Sequence, residues 1–171
     1  MTSPTARLRR APLLVLLGIV FAGSAGCSTV DPLTVLEPVN VTTGWYDEGI
    51  LEDGKNKLVP AVSLRFKNKS GEAVDSIQVN AIFRRVGEAE MWGEHYGWAV
   101  AKTPLAPGAE TPEMLMRSGL GYTGEQPRMQ MLQNREFVDA KVDIFLKSGS
   151  RTWAKLGEYP IQRQLMTKQT R

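Results

Sequence analysis

The sequence predicts a mainly β domain in which two sheets pack face to face. Three observations predict this fold: runs in which apolar and polar residues alternate, turn-forming residues between those runs, and the lack of any long helical pattern. Without a long helix to cover a sheet, two sheets must cover each other. We expect about seven strands and one short helix near residues 128–134, just after Pro127.

The clearest hairpin lies in the first half of the chain. In VSLRFKN, which begins at Val62, every second residue is apolar, as in a strand with one buried face. In VDSIQVNAIFRRV, apolar residues again take alternate positions from Ile77 to Phe83. The intervening KNKSGE is rich in residues that tolerate tight backbone angles, so the two runs predict a hairpin.

A second hairpin is predicted near the C-terminus. Apolar residues alternate from Val138 to Leu146, and the other face carries Asp139, Lys141 and Asp143, which we interpret as an ordinary charged outer face. A Ser-Gly-Ser turn then leads into TWAKLGEYPIQRQL. Weaker strands are predicted at 35–46, 92–100 and 114–120. The segment KTPLAPGAETPE has three prolines and is predicted to be irregular.

These elements together favour an immunoglobulin-like β-sandwich, with a small barrel or an α+β arrangement as alternatives. The stretch from Val62 to Ala109 resembles the small immunoglobulin-like domains of bacterial envelope proteins, such as the FxLYD-type group. Both have an Asn-containing turn between two alternating strands and then a Leu-x-Pro-Gly step, here at Leu105, Pro107 and Gly108. The Phe-x-Leu-Tyr-Asp string itself is absent. The resemblance implies an extracytoplasmic immunoglobulin-like domain and implies no activity.

The first 26 residues have the composition of a secretory leader. Three arginines precede the uncharged apolar run 11–22, which is followed by small residues. A permanent membrane span needs about 20 apolar residues, so this run is too short to favour one. The segment Ser-Ala-Gly-Cys ending at Cys27 resembles the bacterial lipobox, with Ser24 where that motif usually has Leu. The resemblance implies cleavage after Gly26, a diacylglyceryl group on Cys27, and acylation, typically with palmitate, of the new amine.

The sequence therefore divides into a signal peptide (1–26), a lipidated cysteine with a tether (27–33), and a single β-sandwich domain (34–171). Two or more acyl chains hold a protein stably on a membrane. Ser28 follows the cysteine where Asp would signal retention in the inner membrane. We therefore expect the periplasmic face of the outer membrane, if the cell has one. Cys27 is the only cysteine, so the domain can form no internal disulfide and needs an adequate apolar core.

The charge balance argues against nucleic-acid binding. Of the 21 Lys and Arg residues, three belong to the leader, which leaves 18 against 18 Asp and Glu. Both signs are interspersed and no basic run follows the leader, whereas a nucleic-acid site needs a clustered basic face. We expect the membrane and a protein as partners.

No catalytic set, cofactor site or metal site is predicted. His95 is the only histidine, so a Ser-His-Asp or zinc arrangement would depend on it alone, and we interpret it as a strand histidine. The acidic segment YDEGILEDG lacks the EF-hand spacing and is predicted to be a solvated turn. In GLGYTG, Gly119, Gly121 and Gly124 match the dinucleotide fingerprint literally, but the delayed short helix favours a glycine-rich loop between β-elements.

The aromatic residues are the one feature that could mark a binding surface. If the run is extended, Trp92, Tyr96 and Trp98 share one strand face, with Glu94 between them. They either pack in the core or form a binding patch. Our first hypothesis is a non-catalytic, membrane-anchored envelope protein whose domain binds a partner or supports an assembly. The alternatives are a lipid-anchored hydrolase of cell-wall polymers that uses carboxylates, and a packing module without a ligand.

Overall fold

A computed structural model describes residues 30–166. The leader and the predicted lipidation site Cys27 lie outside the described residues. The two helices are α1 (Pro32–Val35) and α2 (Arg128–Gln133). The strands are β1 (Leu36–Ile50), β2 (Asn56–Asn68), β3 (Ile77–Arg85), β4 (Gly93–Val100), β5 (Met114–Arg117), β6 (Tyr122–Gly124), β7 (Ala140–Ser148), β8 (Ala154–Pro160) and β9 (Leu165–Met166).

The strands form two sheets with the immunoglobulin order. The first sheet runs β5-β2-β1-β9, with β6 also pairing with β2, and the second runs β4-β3-β7-β8. With β1, β2 and β5 as strands A, B and E, and β3, β4, β7 and β8 as C, C′, F and G, the two sheets are A-B-E and C′-C-F-G. The predicted fold class is confirmed, and α2 lies where the helix was expected. The hairpin predicted at the C-terminus is confirmed as β7 and β8, but the hairpin predicted from β2 and β3 is wrong, because the connection between them crosses from one sheet to the other. The short β6 and β9 add to the seven longer strands.

The core lies between the two sheets and is built from the alternating residues that the sequence singled out. Val62, Leu64 and Phe66 of β2 are fully buried, and so are the inward-facing residues of β3 from Ile77 to Phe83. Each large apolar side chain buried in this way contributes about 1.5–3 kcal/mol relative to its exposed state. The period-two pattern thus sets which face of each strand enters the core.

An aromatic cluster closes one end of the core. The Trp45 ring on β1 is fully buried, and its centroid lies 4.5 Å from that of Phe137, 5.7 Å from Tyr122 and 6.1 Å from Trp92. Aromatic pairs at these separations stabilise a fold beyond the area that they bury. The cluster joins four segments that are distant in sequence.

Strand β1 is longer than predicted. The sequence placed the strand at 35–46 and a solvated acidic turn after it, but β1 continues to Ile50. Asp47 and Glu48 remain in the strand because they form ion pairs with Arg128 and Arg117. The turn is shorter than the predicted acidic segment. It begins at Leu51, whose N–H donates to the Lys55 carbonyl at 2.8 Å.

Helix α1 packs against the sandwich in a segment that the sequence assigned partly to the tether. Asp31 caps the helix, and its carboxylate accepts a hydrogen bond from the Leu33 N–H at 3.0 Å. Pro32 and Val35 are buried, and Val30 and Leu33 pack against the core. The packed domain therefore includes Pro32 and Leu33. None of the helices within residues 30–166 combines the length and apolar composition needed to span a bilayer.

Asn68 holds the turn after β2 and joins it to the Leu-x-Pro-Gly step. Its buried amide donates to the carbonyls of Glu72 (2.8 Å) and Leu105 (2.9 Å), and its Oδ1 accepts from the Ser70 N–H at 2.9 Å. The Asn68 carbonyl accepts from the N–H of Gly108, which has a φ of +73° that favours glycine. The two halves of the predicted motif are thus one hydrogen-bonded unit.

Candidate functional site

The outer face of the four-stranded sheet carries a group of aromatic side chains. This aromatic face consists of Tyr96 and Trp98 on β4, Phe145 on β7, and Trp153 just before β8. The exposed fractions are 53% for Tyr96, 47% for Trp98 and 38% for Trp153, and Phe145 is half-buried. Large aromatic side chains left exposed together on one sheet face are typical of interaction surfaces, whereas single exposed apolar residues are common everywhere.

Strand register brings these side chains together. Tyr96 lies opposite Asn80 on β3, and Asn80 lies opposite Phe145 on β7, so the three residues form one row across the sheet. The rings of Tyr96 and Trp153 meet edge to face, with centroids 6.1 Å apart and planes at 80°. Lys147 Nζ lies 5.8 Å from the Trp153 ring centroid, which allows a cation–π contact.

Polar groups lie among the aromatic rings. Asn80 Nδ2 donates to Glu94 Oε2 at 3.1 Å, and Gln78 lies opposite Trp98 in the register. The aromatic face is therefore mixed: the amides of Gln78 and Asn80 on the central strand β3 lie between the aromatic side chains of β4 and β7, and the Glu94 carboxylate and the Lys147 ammonium lie beside them. Aromatic rings combined with hydrogen-bonding groups are common in protein-binding surfaces.

The structure places two of the three aromatics that the sequence grouped on this face. Tyr96 and Trp98 are exposed side by side, but Trp92 precedes β4 and turns into the core. Its ring packs 5.0 Å from that of Tyr122, below the Arg85 guanidinium at 5.5 Å. Strand alternation does not extend to Trp92 because β4 begins at Gly93.

Sequence reasoning missed Phe145 and Trp153 as members of the aromatic face. Both lie in the C-terminal hairpin, and their approach to β4 depends on the pairing of β3 with both β4 and β7. The sequence did carry one signal: Phe145 shares its strand face with Asp143 and Lys141, so it was apolar on a face otherwise predicted to be charged.

Next to the aromatic face, charged side chains form a compact ion cluster. The side chain of Asp143 is only 7% exposed; it contacts the Arg84 guanidinium, and its Oδ1 lies 2.6 Å from Lys155 Nζ. Glu158, opposite Asp143 in the register, accepts from Lys155 at 3.1 Å and from Lys141 at 3.2 Å. The predicted charged outer face therefore holds Asp143 buried beneath the cations of neighbouring strands.

The cluster keeps the carboxylate of Glu158 ionised. Hydrogen bonds from Lys155 and Lys141 lower the pKa of Glu158 to about 2, and the hydrogen bond to Asp143 raises the pKa of Lys155. A general acid in glycoside hydrolysis needs the opposite, a carboxyl whose pKa is raised. Asp139 lies apart from the cluster, 2.6 Å from the guanidinium of Arg163.

His95 lies on the opposite side of β4 from the aromatic face. It is half-buried and pairs with the inward-facing Ala81, at the edge where β4 meets β5. Burial lowers the pKa of His95, and a backbone hydrogen bond at Arg117 opposes the shift. His95 is thus a hydrogen-bonded strand histidine, neutral at pH 7.

The acidic segment around β1 is divided among separate cations. Asp47 contacts Arg128, Glu48 Oε1 lies 2.7 Å from Arg117 Nη1, and Asp53 pairs with its neighbour Lys55 at 2.9 Å. Across residues 30–166, no three His, Cys, Asp or Glu side chains are grouped closely enough to hold a metal ion.

The glycine-rich segment is only partly the loop that was predicted, because its second half, Tyr122–Gly124, forms β6. Its first half connects β5 to β6, and Gly121 passes so close to β2 that an added Cβ would lie 2.0 Å from the Leu58 carbonyl oxygen. A Cβ added to Gly119 would have no atom within 4 Å. Close backbone packing therefore accounts for Gly121 without a bound dinucleotide.

No family model matches the sequence, and no curated protein matches it. Among solved structures, the Northeast Structural Genomics Consortium target SoR45 is similar with a TM-score of 0.43 and 12% identity, over 77% of this chain and 89% of the other. The putative ApaA protein from Bordetella pertussis is similar with a TM-score of 0.40 and 16% identity, over 75% and 93%. The ligand binding region of serine-glutamate repeat protein A of Enterococcus faecium gives 0.27 and 12%, over 68% and 89%. All three TM-scores lie below 0.5, so these likenesses give no information about function.

Proposed function

We propose that this protein is a non-catalytic, lipid-anchored component of a bacterial envelope whose immunoglobulin-like domain binds a protein partner through the aromatic face. The observation that carries the proposal is the exposed grouping of Tyr96, Trp98 and Trp153 on one face of the four-stranded sheet. The leader and the Ser-Ala-Gly-Cys segment support the anchor at Cys27. The cellular location that follows is the periplasmic face of the outer membrane, in a cell that has one.

The chemistry of the aromatic face favours a protein partner. Tyr and Trp are the residues most enriched at positions that dominate binding energy, because they bury a large area and lose few rotamers. The Lys147 ammonium and the Glu94 carboxylate at the margin allow charged contacts of both signs, which fix orientation more than affinity. Such a surface can bind a partner without any reacting group.

A carboxylate-dependent hydrolase is the rival function, and the charges around Asp143 and Glu158 do not favour it. The two carboxylates face each other across neighbouring strands, yet Arg84 and Lys155 already occupy them. The low pKa of Glu158 leaves it without the proton that a general acid must donate.

Site-specific crosslinking tests the proposed binding surface. A photo-reactive residue replaces Gln78, in the centre of the sheet beside Trp98, in the protein expressed with its native leader. We expect one dominant crosslinked protein. The Trp98→Ala change is expected to weaken that partner's binding by about 2 kcal/mol, or roughly 30-fold in Kd, because Trp98 would be a binding hot spot.

The matched control is Leu115→Ala, which removes a large side chain of 37% exposure from the other sheet. This variant is expected to crosslink as the parent does. Equal crosslinking for Trp98→Ala, Tyr96→Ala and the parent would show that the aromatic face is not the binding surface.

A further inference from the structure

The chain enters the sandwich at one end, which we call the N-terminal end. It is formed by α1, the β2–β3 turn (69–76) and the β7–β8 turn (149–153). Val30 packs against the core there and, with Val35 and both turns, lines a cleft of about 590 Å³. The Lys69 N–H donates to the Val35 carbonyl at 2.9 Å, which ties α1 to the β2–β3 turn. The start of the described chain is therefore fixed to this end of the domain.

The distance from Cys27 to this fixed point is short. Two residues lie between Cys27 and Val30, and the three Cα-to-Cα steps span at most about 11 Å when fully extended. Strand β3, which runs from the N-terminal end to the far end, has nine residues, or roughly 27 Å at the usual rise. The tether from a lipid on Cys27 to the N-terminal end is thus less than half as long as the domain. It would hold the N-terminal end near the bilayer and leave the far end away from it.

We propose that the N-terminal end rests on the phospholipid headgroups of the membrane that holds the protein. This inference rests on the proposed lipid anchor at Cys27. The β2–β3 turn suits contact with headgroups because all of it except Val74 and Ser70 is exposed, and because Lys69, Glu72 and Asp75 offer charges of both signs to zwitterionic headgroups. The turn lies on the surface of the bilayer and does not insert into it.

This orientation places the aromatic face next to the membrane. Trp98 lies two residues before the end of β4, where Val100 pairs with Ile77 at the N-terminal end, and Trp153 lies in the β7–β8 turn. The tether and two residues of strand together span no more than about 20 Å. The partner is therefore a membrane-associated protein, which is engaged through a segment close to the bilayer surface.

Fluorescence quenching by headgroup-labelled lipids tests this orientation. When Cys27 is acylated, one introduced cysteine is the only free thiol, since the chain has no other. Ala73→Cys places a fluorophore in the exposed β2–β3 turn, and Ala89→Cys places the same fluorophore in the exposed β3–β4 loop at the far end. The lipidated full-length protein is reconstituted into vesicles of phosphatidylethanolamine and phosphatidylglycerol that contain a nitroxide-headgroup lipid.

We expect the label at position 73 to lose most of its emission and the label at position 89 to lose little. A variant with a 20-residue Gly/Ser segment inserted after Ser28 is the control, because a flexible linker of that length spans about 25 Å and frees the domain to reorient. In this variant the two labels are expected to be quenched alike.

Two results would overturn the orientation in distinguishable ways. Equal quenching at positions 73 and 89 in protein whose intact mass shows acylated Cys27 would mean that the domain does not rest on its N-terminal end, while the anchor stands. A mass without acyl groups, with the protein absent from the vesicles, would remove the anchor and this orientation with it.

Discussion

At Gly121 the loop between β5 and β6 lies against the backbone of β2, with no room for a methyl group. We predict that Gly121→Ala lowers the free energy of unfolding by about 1–3 kcal/mol, as overpacking typically does, because backbone must move to relieve the contact with Leu58. Gly119→Ala, two residues earlier and in open space, is the control and should change it by less than about 0.5 kcal/mol. Urea unfolding measures both, and equal effects would contradict the account.

The ion cluster beside the aromatic face makes the free energy of unfolding depend on pH. The pKa of Glu158 is about 2 in the folded protein and 4.5 ordinarily, so below pH 4.5 the unfolded chain takes up the proton first. The contribution of Glu158 is therefore fully present above pH 4.5 and is lost as the pH falls toward 2. We predict that Glu158→Gln flattens the stability profile over that range, measured by urea unfolding at each pH. The same change at Glu52, in the exposed β1–β2 turn, should leave the profile as steep as in the parent.

At the residue scale, the sequence predicted part of the candidate site. Strand alternation correctly put Tyr96 and Trp98 on one face, because that pattern is local to β4. It could not include Trp153, whose neighbours come from the pairing of three other strands. Strand alternation also could not predict that Asp143 is nearly buried, because the side chains that cover it, Arg84 and Lys155, come from β3 and β8.

At the scale of elements, Asn68 connects the β2–β3 turn to the irregular segment that follows β4. Asn68→Ala would remove the amide that serves the Glu72 and Leu105 carbonyls and would leave buried polar groups unpaired. We predict a loss of about 1–3 kcal/mol in the free energy of unfolding. Lys69→Ala, at the exposed neighbouring position, is the control and should stay within about 0.5 kcal/mol of the parent. Thermal and urea unfolding of the three proteins decide the matter, and an undiminished stability of Asn68→Ala would be incompatible with this role.

The elements themselves were predictable where periodicity was strong. The alternation in β2, β3 and β7 predicted their buried faces. It was less accurate for their ends, because β2 begins at Asn56, six residues before the predicted run, and Val138 lies before β7 and is 38% exposed. Strand β1 ends four residues later than predicted because its acidic residues are neutralised by Arg117 and Arg128, which lie far away in the sequence. Helix α1 was not foreseen, since four residues carry too little periodicity to be recognised.

At the scale of the whole molecule, the two-sheet architecture followed from the lack of a long helix. The strand order did not follow from the hairpins: the β7–β8 hairpin was predicted correctly, but β2 and β3, predicted to pair, lie in different sheets. The domain has two distinct surfaces with a functional interpretation: an aromatic face for a protein partner and an N-terminal end for the membrane. The membrane interpretation depends on the anchor at Cys27, which the sequence predicts and which lies outside the described residues, whereas the aromatic face is argued from exposed side chains alone.

Intact mass with membrane fractionation, on the native-leader protein and on Cys27→Ser, tests the anchor most directly. We predict that the parent is membrane-bound, begins at Cys27 and carries the mass of its acyl chains, and that Cys27→Ser carries no acyl mass and leaves the membrane fraction. A soluble parent protein with an unmodified Cys27 thiol would contradict the account. The domain would then be a freely secreted sandwich, and its partner would have to be sought away from the membrane.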